Sequence, residues 1–508
     1  MNPPASPLTV LRRWFGFPAF RGPQQEVIEA IGQAGRQAGH ALVVMPTGSG
    51  KSLCYQIPAL AIVPPEVQPF DPWLDRRLVV VLSPLIALMK DQTDALQGRG
   101  IDAAFINSSL DRETREQRYR ELAGGHFRLL YVTPERFRKA AFREAIQQRE
   151  VILLAVDEAH CVSEWGHDFR PDYSRLAEIR SLLGEPPTLA LTATATPACQ
   201  ADILRQLGLS AADVHRFHSG IERPNLELEV AEVGDEEAKL QQIEAVAEDR
   251  RWADGSGIVY CTLIKTLERI SEGLRQRGID HLVYHGELRR AERRRIQERF
   301  MTGEIPLVVA TGAFGMGIDK AAIRFVVHAE VPGSLEAYYQ EIGRAGRDGQ
   351  PACCRLLYDP HDLMTQMQFI DWRNPDADFF SRLWCYLRER SEEVAAFGLE
   401  WLNAQLQSVS RHDHRLETAL GLLDRYGSVA GPRPPECFRV TATADLPAVF
   451  RDAERLAEKK QRDQQRLYAL VEYIHAEDRQ AFLQRYFGVA PAVAEVADRR
   501  GSTSRPNP

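Results

Sequence analysis

Val43-Val44-Met45-Pro46-Thr47-Gly48-Ser49-Gly50-Lys51-Ser52 decides how the rest of this chain is read. A short apolar run ends in a loop of small residues, and a helix-like segment follows it. Such a loop lets backbone N–H groups converge on phosphate oxygens, and the N-terminus of the next helix adds a favourable dipole. Lys51 would reach the β- and γ-phosphates and Ser52 would ligate Mg2+, with Thr47, Gly48, Ser49 and Gly50 as the cradle. The full pattern has glycine where Met45 stands, so this is the shortened T-G-x-G-K-S form. The alternative is a surface turn that happens to hold a lysine.

Working outward, Val151 to Val156 is a second apolar run, and it ends in Asp157-Glu158-Ala159-His160. Asp157 can complete the Mg2+ shell, leaving Glu158 to orient and deprotonate an attacking water. Alone this is a common acidic turn; on a strand neighbouring the 47–52 loop it becomes half of an ATPase site. Gln340-Glu-Ile-Gly-Arg344-Ala-Gly-Arg347-Asp348-Gly349 supplies Gln340 and two arginines three apart, suited to a γ-phosphate clamp across a cleft. Solvated helix arginines are the alternative.

Further β-rich runs, at Leu42–Val44, Leu78–Leu82, Leu129–Val132 and Leu189–Leu191, alternate with polar periodic stretches, as parallel βαβ units require. The pattern pauses around 219–230 and resumes at Gly257–Tyr260, Leu282–Tyr284, Leu307–Val309 and Phe325–Val327. The expected α/β organisation is therefore a first domain over 1–218 and a second over 219–360. A mostly helical region follows over 361–498, with a disordered tail over 499–508. Within that region, Leu416–Tyr426 reads as a helix, prolines 432, 434 and 435 as a loop and Cys437–Thr443 as a short ribbon. Residues 411–445 are thus either a small winged-helix-like insert or a plain helical spacer.

The 508 residues suit about three or four compact units, with 44% hydrophobic and 26% charged residues. A net charge of −7 excludes a protein that coats nucleic acid by bulk charge, so any such contact must be local. The run Arg289 to Arg299 is interleaved with Glu287, Glu292 and Glu298 and reads as a salt-bridged, solvated helix face. Eight scattered cysteines form no Cys-x-x-Cys, and the N-terminus lacks the basic start and apolar core of a signal peptide. His412 and His414 read as a loop pair without a metal. The expectation is a soluble, reduced, cytoplasmic protein, nucleoid-associated in a bacterium, with no membrane partner and a monomeric state.

With these motifs in order, the chain resembles the RecQ family of superfamily 2 DNA helicases over residues 11 to 360. Phe15-Gly16, Phe20-Arg21 and Gln24 resemble the family's adenine-recognition segment, which implies that Phe15, Arg21 and Gln24 bind the base. Leu82-Ser83-Pro84 to Gln92 and Tyr131-Val-Thr133-Pro-Glu-Arg136 resemble DNA-backbone motifs. Leu191-Thr192-Ala-Thr-Ala195 and Val308 to Lys320 resemble the elements that link ATP state to DNA grip, the latter bringing Thr311 and Asp319. Cys161-Val-Ser-Glu-Trp165-Gly-His167-Asp-Phe169-Arg170 resembles the aromatic-rich loop that couples single-strand binding to hydrolysis. There Trp165 and Phe169 offer stacking faces, and His167 and Arg170 meet phosphate or base.

The resemblance implies two tandem RecA-like domains and ATP with Mg2+ bound between them. It also implies 3′→5′ translocation on single-stranded or forked DNA, with DNA repair proteins as partners. It departs downstream, where the family's four-cysteine zinc module cannot be built from Cys385 and Cys437, so no zinc is expected. Residues 473–488 resemble one helix of that module, Asp478 standing in the place of its first cysteine. A zinc-free relic held by packing is the expectation there.

Overall fold

The computed structural model describes residues 6–32, 39–61, 76–163, 173, 175–315, 318, 320–406, 413–430, 439–440 and 445–489. Its first sheet is built from β1 (His40–Val44), β2 (Arg77–Leu82), β3 (Ala103–Ile106), β4 (Leu129–Val132), β5 (Glu150–Val156), β6 (Thr188–Thr192) and β7 (Val214–His218). The order is β3-β4-β2-β5-β6-β1-β7, every pair parallel. The second sheet holds β8 (Leu226–Glu232), β9 (Ser256–Tyr260), β10 (Leu282–Tyr284), β11 (Leu307–Ala310), β12 (Ile323–His328) and β13 (Ala352–Tyr358). Its order is β10-β11-β9-β12-β13-β8, again all parallel.

Unbroken Val/Ile/Leu runs form the inner strands because both faces of each sheet are covered. Leu42, Val44, Val80 and Leu154 enter one core, while Val43, Val79, Val81 and Leu153 enter the opposite one. Two of the edge strands, β7 and β8, lack that signature. β7 is Val-His-Arg-Phe-His, and β8 alternates apolar with acidic residues in Leu-Glu-Leu-Glu-Val. That polar alternation is why residues 219–230 read as a pause, although β8 begins inside them.

One topological expectation is corrected. The strand that ends at Asp157 does not adjoin the phosphate-loop strand, because β6 lies between β5 and β1 and pairs with both. Met45 is also explained. Its N–H extends the ladder to Thr192 O at 3.0 Å and its side chain is buried, so this position belongs to the core rather than to the phosphate cradle.

The helices used below are α1 (Leu53–Ala61), α2 (Pro197–Gln206), α3 (Leu335–Ile342), α4 (Pro360–Arg373), α5 (Ala377–Glu389), α6 (Ser391–Gln405), α7 (Arg415–Arg425), α8 (Ala453–Ile474) and α9 (Arg479–Tyr486). The region after 360 is not one unit. Helices α5 to α7 share their own core, with Phe380 stacked on Phe450 at 4.4 Å. The two-residue strands β14 (Val429–Ala430) and β15 (Arg439–Val440) pair antiparallel behind α7. The three helices and the two-residue ribbon form a unit with its own core, and most of the ribbon's loop, Cys437 included, lies outside the described residues.

Helices α8 and α9 instead return to the second sheet, where Leu470, Tyr473, Leu483 and Phe487 complete one face of its core. Burying each such side chain contributes about 1.5–3 kcal/mol to seating the pair on that face. Asp478 caps α9, accepting the Ala481 N–H at 2.9 Å. Chain order gives no hint of this return, because it depends on a contact across more than a hundred residues.

Candidate functional site

A cavity of about 1410 Å³ runs between the carboxyl ends of the two sheets and on toward α7 and α8. Its floor is the loop after β1. Gly48 and Gly50 there have φ of +79° and +80°, which L-residues avoid. Lys51 Nζ donates to Met45 O at 3.0 Å and to Pro46 O at 3.3 Å. Burial drives the lysine's pKa down, while Glu158 and Asp157 oppose that shift. A buried cation facing two carboxylates over a glycine cradle is the donor set that a Mg2+-bound triphosphate requires.

Asp157 is buried at the end of β5, and its carboxyl is pushed up to about 7, first by burial and then by the adjacent Glu158. A bound divalent cation would reverse that shift. Glu158 sits at φ +50°, a left-handed conformation costly for a non-glycine residue. One of its carboxylate oxygens, Oε2, is buried without a hydrogen-bond partner and lies 3.4 Å from His160 Nδ1. The imidazole nitrogen in turn lies 3.0 Å from Thr192 Oγ1. Thr192 is fully buried, so its hydroxyl ties the carboxylate strand to β6 instead of facing a nucleic acid. Ser83 and Thr133 are also buried, at the ends of β2 and β4. Thr311 follows β11 and bonds Tyr284 O through its N–H at 3.0 Å.

The second domain closes the cavity. Thr47 Oγ1 reaches Gly343 O at 3.4 Å, and a β-carbon on Gly48 would stand 3.1 Å from Arg347 Cδ. Arg347 Nη1 donates to Ile318 O at 2.9 Å, and Arg344 Nη1 donates to Gly315 O. Both arginines are thus held by the loop after β11, and Arg347 lies across the phosphate cradle. Gln340 lines the same cavity, half-buried.

Expectation and structure part at the adenine segment. Gln24 is buried, with Nε2 donating to Ser49 O at 2.9 Å and Gly50 O at 3.1 Å, while Oε1 accepts the Arg21 N–H. Both amide donors therefore brace the cradle, and only the oxygen has capacity left for a base. Phe15 packs into the first domain's core beneath Arg99. Phe17, 43% exposed, lines the cavity mouth instead, beside Arg21. Asp319, Trp165, His167, Phe169 and Arg170 lie outside the described residues.

Sequence reasoning passed over several residues that build the site. Arg223 Nη2 donates to Ala345 O at 2.6 Å and Gly346 O at 2.9 Å, bracing the turn that carries both arginines. Asn225 Nδ2 donates to Gly346 O and Gln350 O, each at 2.9 Å. Glu341 reaches His328 Nε2 at 2.8 Å. No local pattern marks these residues, since each acts through a carbonyl or imidazole distant in sequence.

Elsewhere, Arg294 pairs with Glu298 at 2.8 Å on an exposed helix face, in keeping with a solvated arginine run. His414 meets the Trp372 ring edge-on, and His412 lies outside the described residues. Among the described residues, no cluster of three or more His, Cys, Asp or Glu is placed to hold a metal, and no helix is long and apolar enough to cross a membrane.

Comparison with known proteins agrees with this geometry. Residues 21–202 match the DEAD/DEAH box helicase family and residues 238–349 the helicase conserved C-terminal domain. The ATP-dependent DNA helicase RecQ of Haemophilus influenzae is 44% identical over 357 residues, covering 70% of this chain and 54% of that protein. The probable ATP-dependent DNA helicase RecS of Bacillus subtilis is 38% identical over 370 residues, covering 72% and 70%. The chain thus spans about half the length of several curated relatives. Among solved structures, the DUF1998 helicase MrfA bound to DNA superposes with a TM-score of 0.57 at 17% identity, over 88% of this chain and 60% of that one. Yeast Dbp5 bound to RNA and ADP BeF3 gives 0.56 at 17% identity, over 72% and 91%. Both show the fold of two RecA-like domains.

Proposed function

The chain belongs to the RecQ family of DNA helicases, and from that premise we propose that it is an ATP-dependent 3′→5′ DNA helicase acting on single-stranded and forked DNA. The observation that carries the reading is the seating of Arg347, from the second domain, against Gly48 in the phosphate loop of the first. A site shared between two bodies makes nucleotide state and domain closure the same variable.

Thr47 to Gly50 would cradle the phosphates and Lys51 would neutralise the β- and γ-oxygens. Ser52 and Asp157 would hold Mg2+, which supplies further charge neutralisation at those oxygens. Glu158, with one carboxylate oxygen free of hydrogen bonds, is the group suited to orient and deprotonate the attacking water. Arg344 and Arg347, with Gln340 beside them, would stabilise charge on the transferring phosphoryl group. Their grip weakens once that group leaves, which lets the domains part. The link from Glu158 through His160 to Thr192 offers a short path from hydrolysis to the strand ends where the DNA motifs lie. Trp165, His167, Phe169 and Arg170 are proposed as the coupling loop, Asp319 and Thr311 as elements of the second domain's grip, and Arg21 and Gln24 as base-binding residues, with Phe17 rather than Phe15 offering the ring at the cavity mouth. A monomeric, nucleoid-associated protein that works with DNA repair proteins fits this reading.

A second reading keeps the motor without robust unwinding. Helix α7, third in the winged-helix-like module, turns Glu417 and Asp424 toward the cavity, an acidic face ill-suited to duplex phosphates. Strand displacement on a 3′-tailed duplex separates the two readings. The ATPase itself is tested by phosphate release with and without single-stranded DNA. Stimulation by DNA, lost in Lys51→Ala, is the expected outcome, and hydrolysis indifferent to DNA would refute the motor.

A further inference from the structure

The hairpin of α8 and α9 stands where three parts of the molecule meet. Its partner in the second domain is α3, the helix that leads into Arg344 and Arg347. Glu336, in the first turn of α3, is 4% exposed. Tyr486 OH donates to Glu336 Oε1 at 2.8 Å, and Arg466 Nε lies 3.8 Å from the same oxygen. Asp463 steadies the guanidinium, accepting from Arg466 Nη1 at 3.0 Å. Tyr473 and Tyr338 hydroxyls meet at 3.3 Å, and the Phe487 ring packs on Tyr339 at 5.1 Å. Every turn of α3 therefore touches the hairpin.

The far end of the hairpin touches the first domain. A β-carbon on Gly488 would stand 2.6 Å from Pro197 Cγ. Pro197 opens α2 immediately after Thr192–Thr196, the stretch whose first hydroxyl bonds His160 beside Glu158. One small element thus abuts the helix that carries the arginines and the helix behind the carboxylate strand. Tyr486 does not line the nucleotide cavity, and Arg466 lines it where it runs on toward α8. Both hold a buried carboxylate on the arginine helix, where removing a partner leaves charge uncompensated.

We propose that the α8–α9 hairpin is a positioning strut for the arginine helix, with Arg466 and Tyr486 setting the register of α3 through Glu336 against the first domain. The proposal rests on the ATPase reading above. A shift of α3 by a fraction of a turn would carry Arg344 and Arg347 off the transferring phosphoryl group while leaving the phosphate loop, and so ATP binding, in place.

The test is steady-state ATP hydrolysis by the full chain, saturated with single-stranded DNA, for wild type, Tyr486→Phe, Arg466→Gln and Arg466→Lys, with a thermal melt of each. Tyr486→Phe guards against misfolding, because it removes one hydroxyl and keeps the ring. The expected result is a kcat lowered about tenfold to a hundredfold in Tyr486→Phe and Arg466→Gln. KM for ATP should stay within about twofold, and Arg466→Lys should recover part of kcat. Unchanged kcat in folded Tyr486→Phe and Arg466→Gln would overturn the strut, as would losses that vanish on cooling below each variant's melt. Wild type without DNA-stimulated hydrolysis would instead refute the ATPase reading, so the two failures are distinguishable.

Discussion

Replacing Arg223 by methionine keeps the stem and removes every donor, which isolates what holds the arginine-bearing turn. Arg223 serves three carbonyls, Gly343 O at 3.5 Å, Ala345 O at 2.6 Å and Gly346 O at 2.9 Å. They do not lose equally. Gly346 O also accepts from Asn225 Nδ2 at 2.9 Å and from the Gly349 N–H at 3.0 Å, and Gly343 O keeps the Thr47 hydroxyl at 3.4 Å. The buried Ala345 carbonyl loses its short charge-assisted bond. An orphaned buried carbonyl costs about 1–3 kcal/mol and a bond to a charged donor contributes about 1.5–3, so a destabilisation of about 2–4 kcal/mol is expected. Ala345 lies between Arg344 and Arg347, so the same loosening should appear in chemistry. Arginines of this kind are worth about 10³–10⁵ in rate, and a displacement near 1 Å forfeits about a hundredfold. Expected, then, are a lower urea midpoint and a DNA-stimulated kcat reduced about tenfold to a hundredfold, with KM for ATP little changed. A kcat within about threefold of wild type, alongside the stability loss, would show that the turn keeps its arginines aligned without Arg223.

Asp157→Asn should be inactive yet more stable in chelator at alkaline pH. The folded carboxyl titrates at about 7, above its unfolded value, so ionised Asp157 weakens the fold progressively as pH rises toward 7. The variant's advantage in thermal melts should shrink by about 2 kcal/mol between pH 8 and pH 5, and a gap independent of pH would contradict this account. Lys239→Met should cost about 3–5 kcal/mol in urea unfolding, since it strands Asp362, 3.2 Å away in the second domain's interior. Adding Asp362→Leu should restore most of that loss, and a double variant as weak as the single would argue against an uncompensated charge. Gly257→Ala would place a β-carbon 1.9 Å from Phe325 Cζ, so the second domain should fail to fold unless Phe325→Leu is added. Normal melting of the single variant would rule out that packing.

The phosphate loop, the carboxylates and the paired arginines were readable one by one because each chemistry needs a particular residue type at a fixed local spacing. Inner strands were readable where burial on both faces leaves long apolar runs, as at Leu129–Val132, which coincides with β4. Among the edge strands, the apolar β10 carried the mark and was read as Leu282–Tyr284, whereas the polar β7 and β8 escaped. Phe15 and Phe17 differ by two positions in one aromatic-rich segment. Only the left-handed turn at Gly16, φ +72°, decides which ring packs inward and which faces the cavity.

By itself, the sequence determined the ingredients of a nucleotide-driven motor, since those depend on residue identity within a few positions. The tertiary structure alone decided that β6 separates the two catalytic strands, that Gln24 braces the cradle and that Arg223 braces the turn. It also decided that the last helices return to buttress the arginine helix. These outcomes depend on contacts between residues tens to hundreds of positions apart, whose formation is a matter of packing free energy over the whole chain rather than of any local pattern.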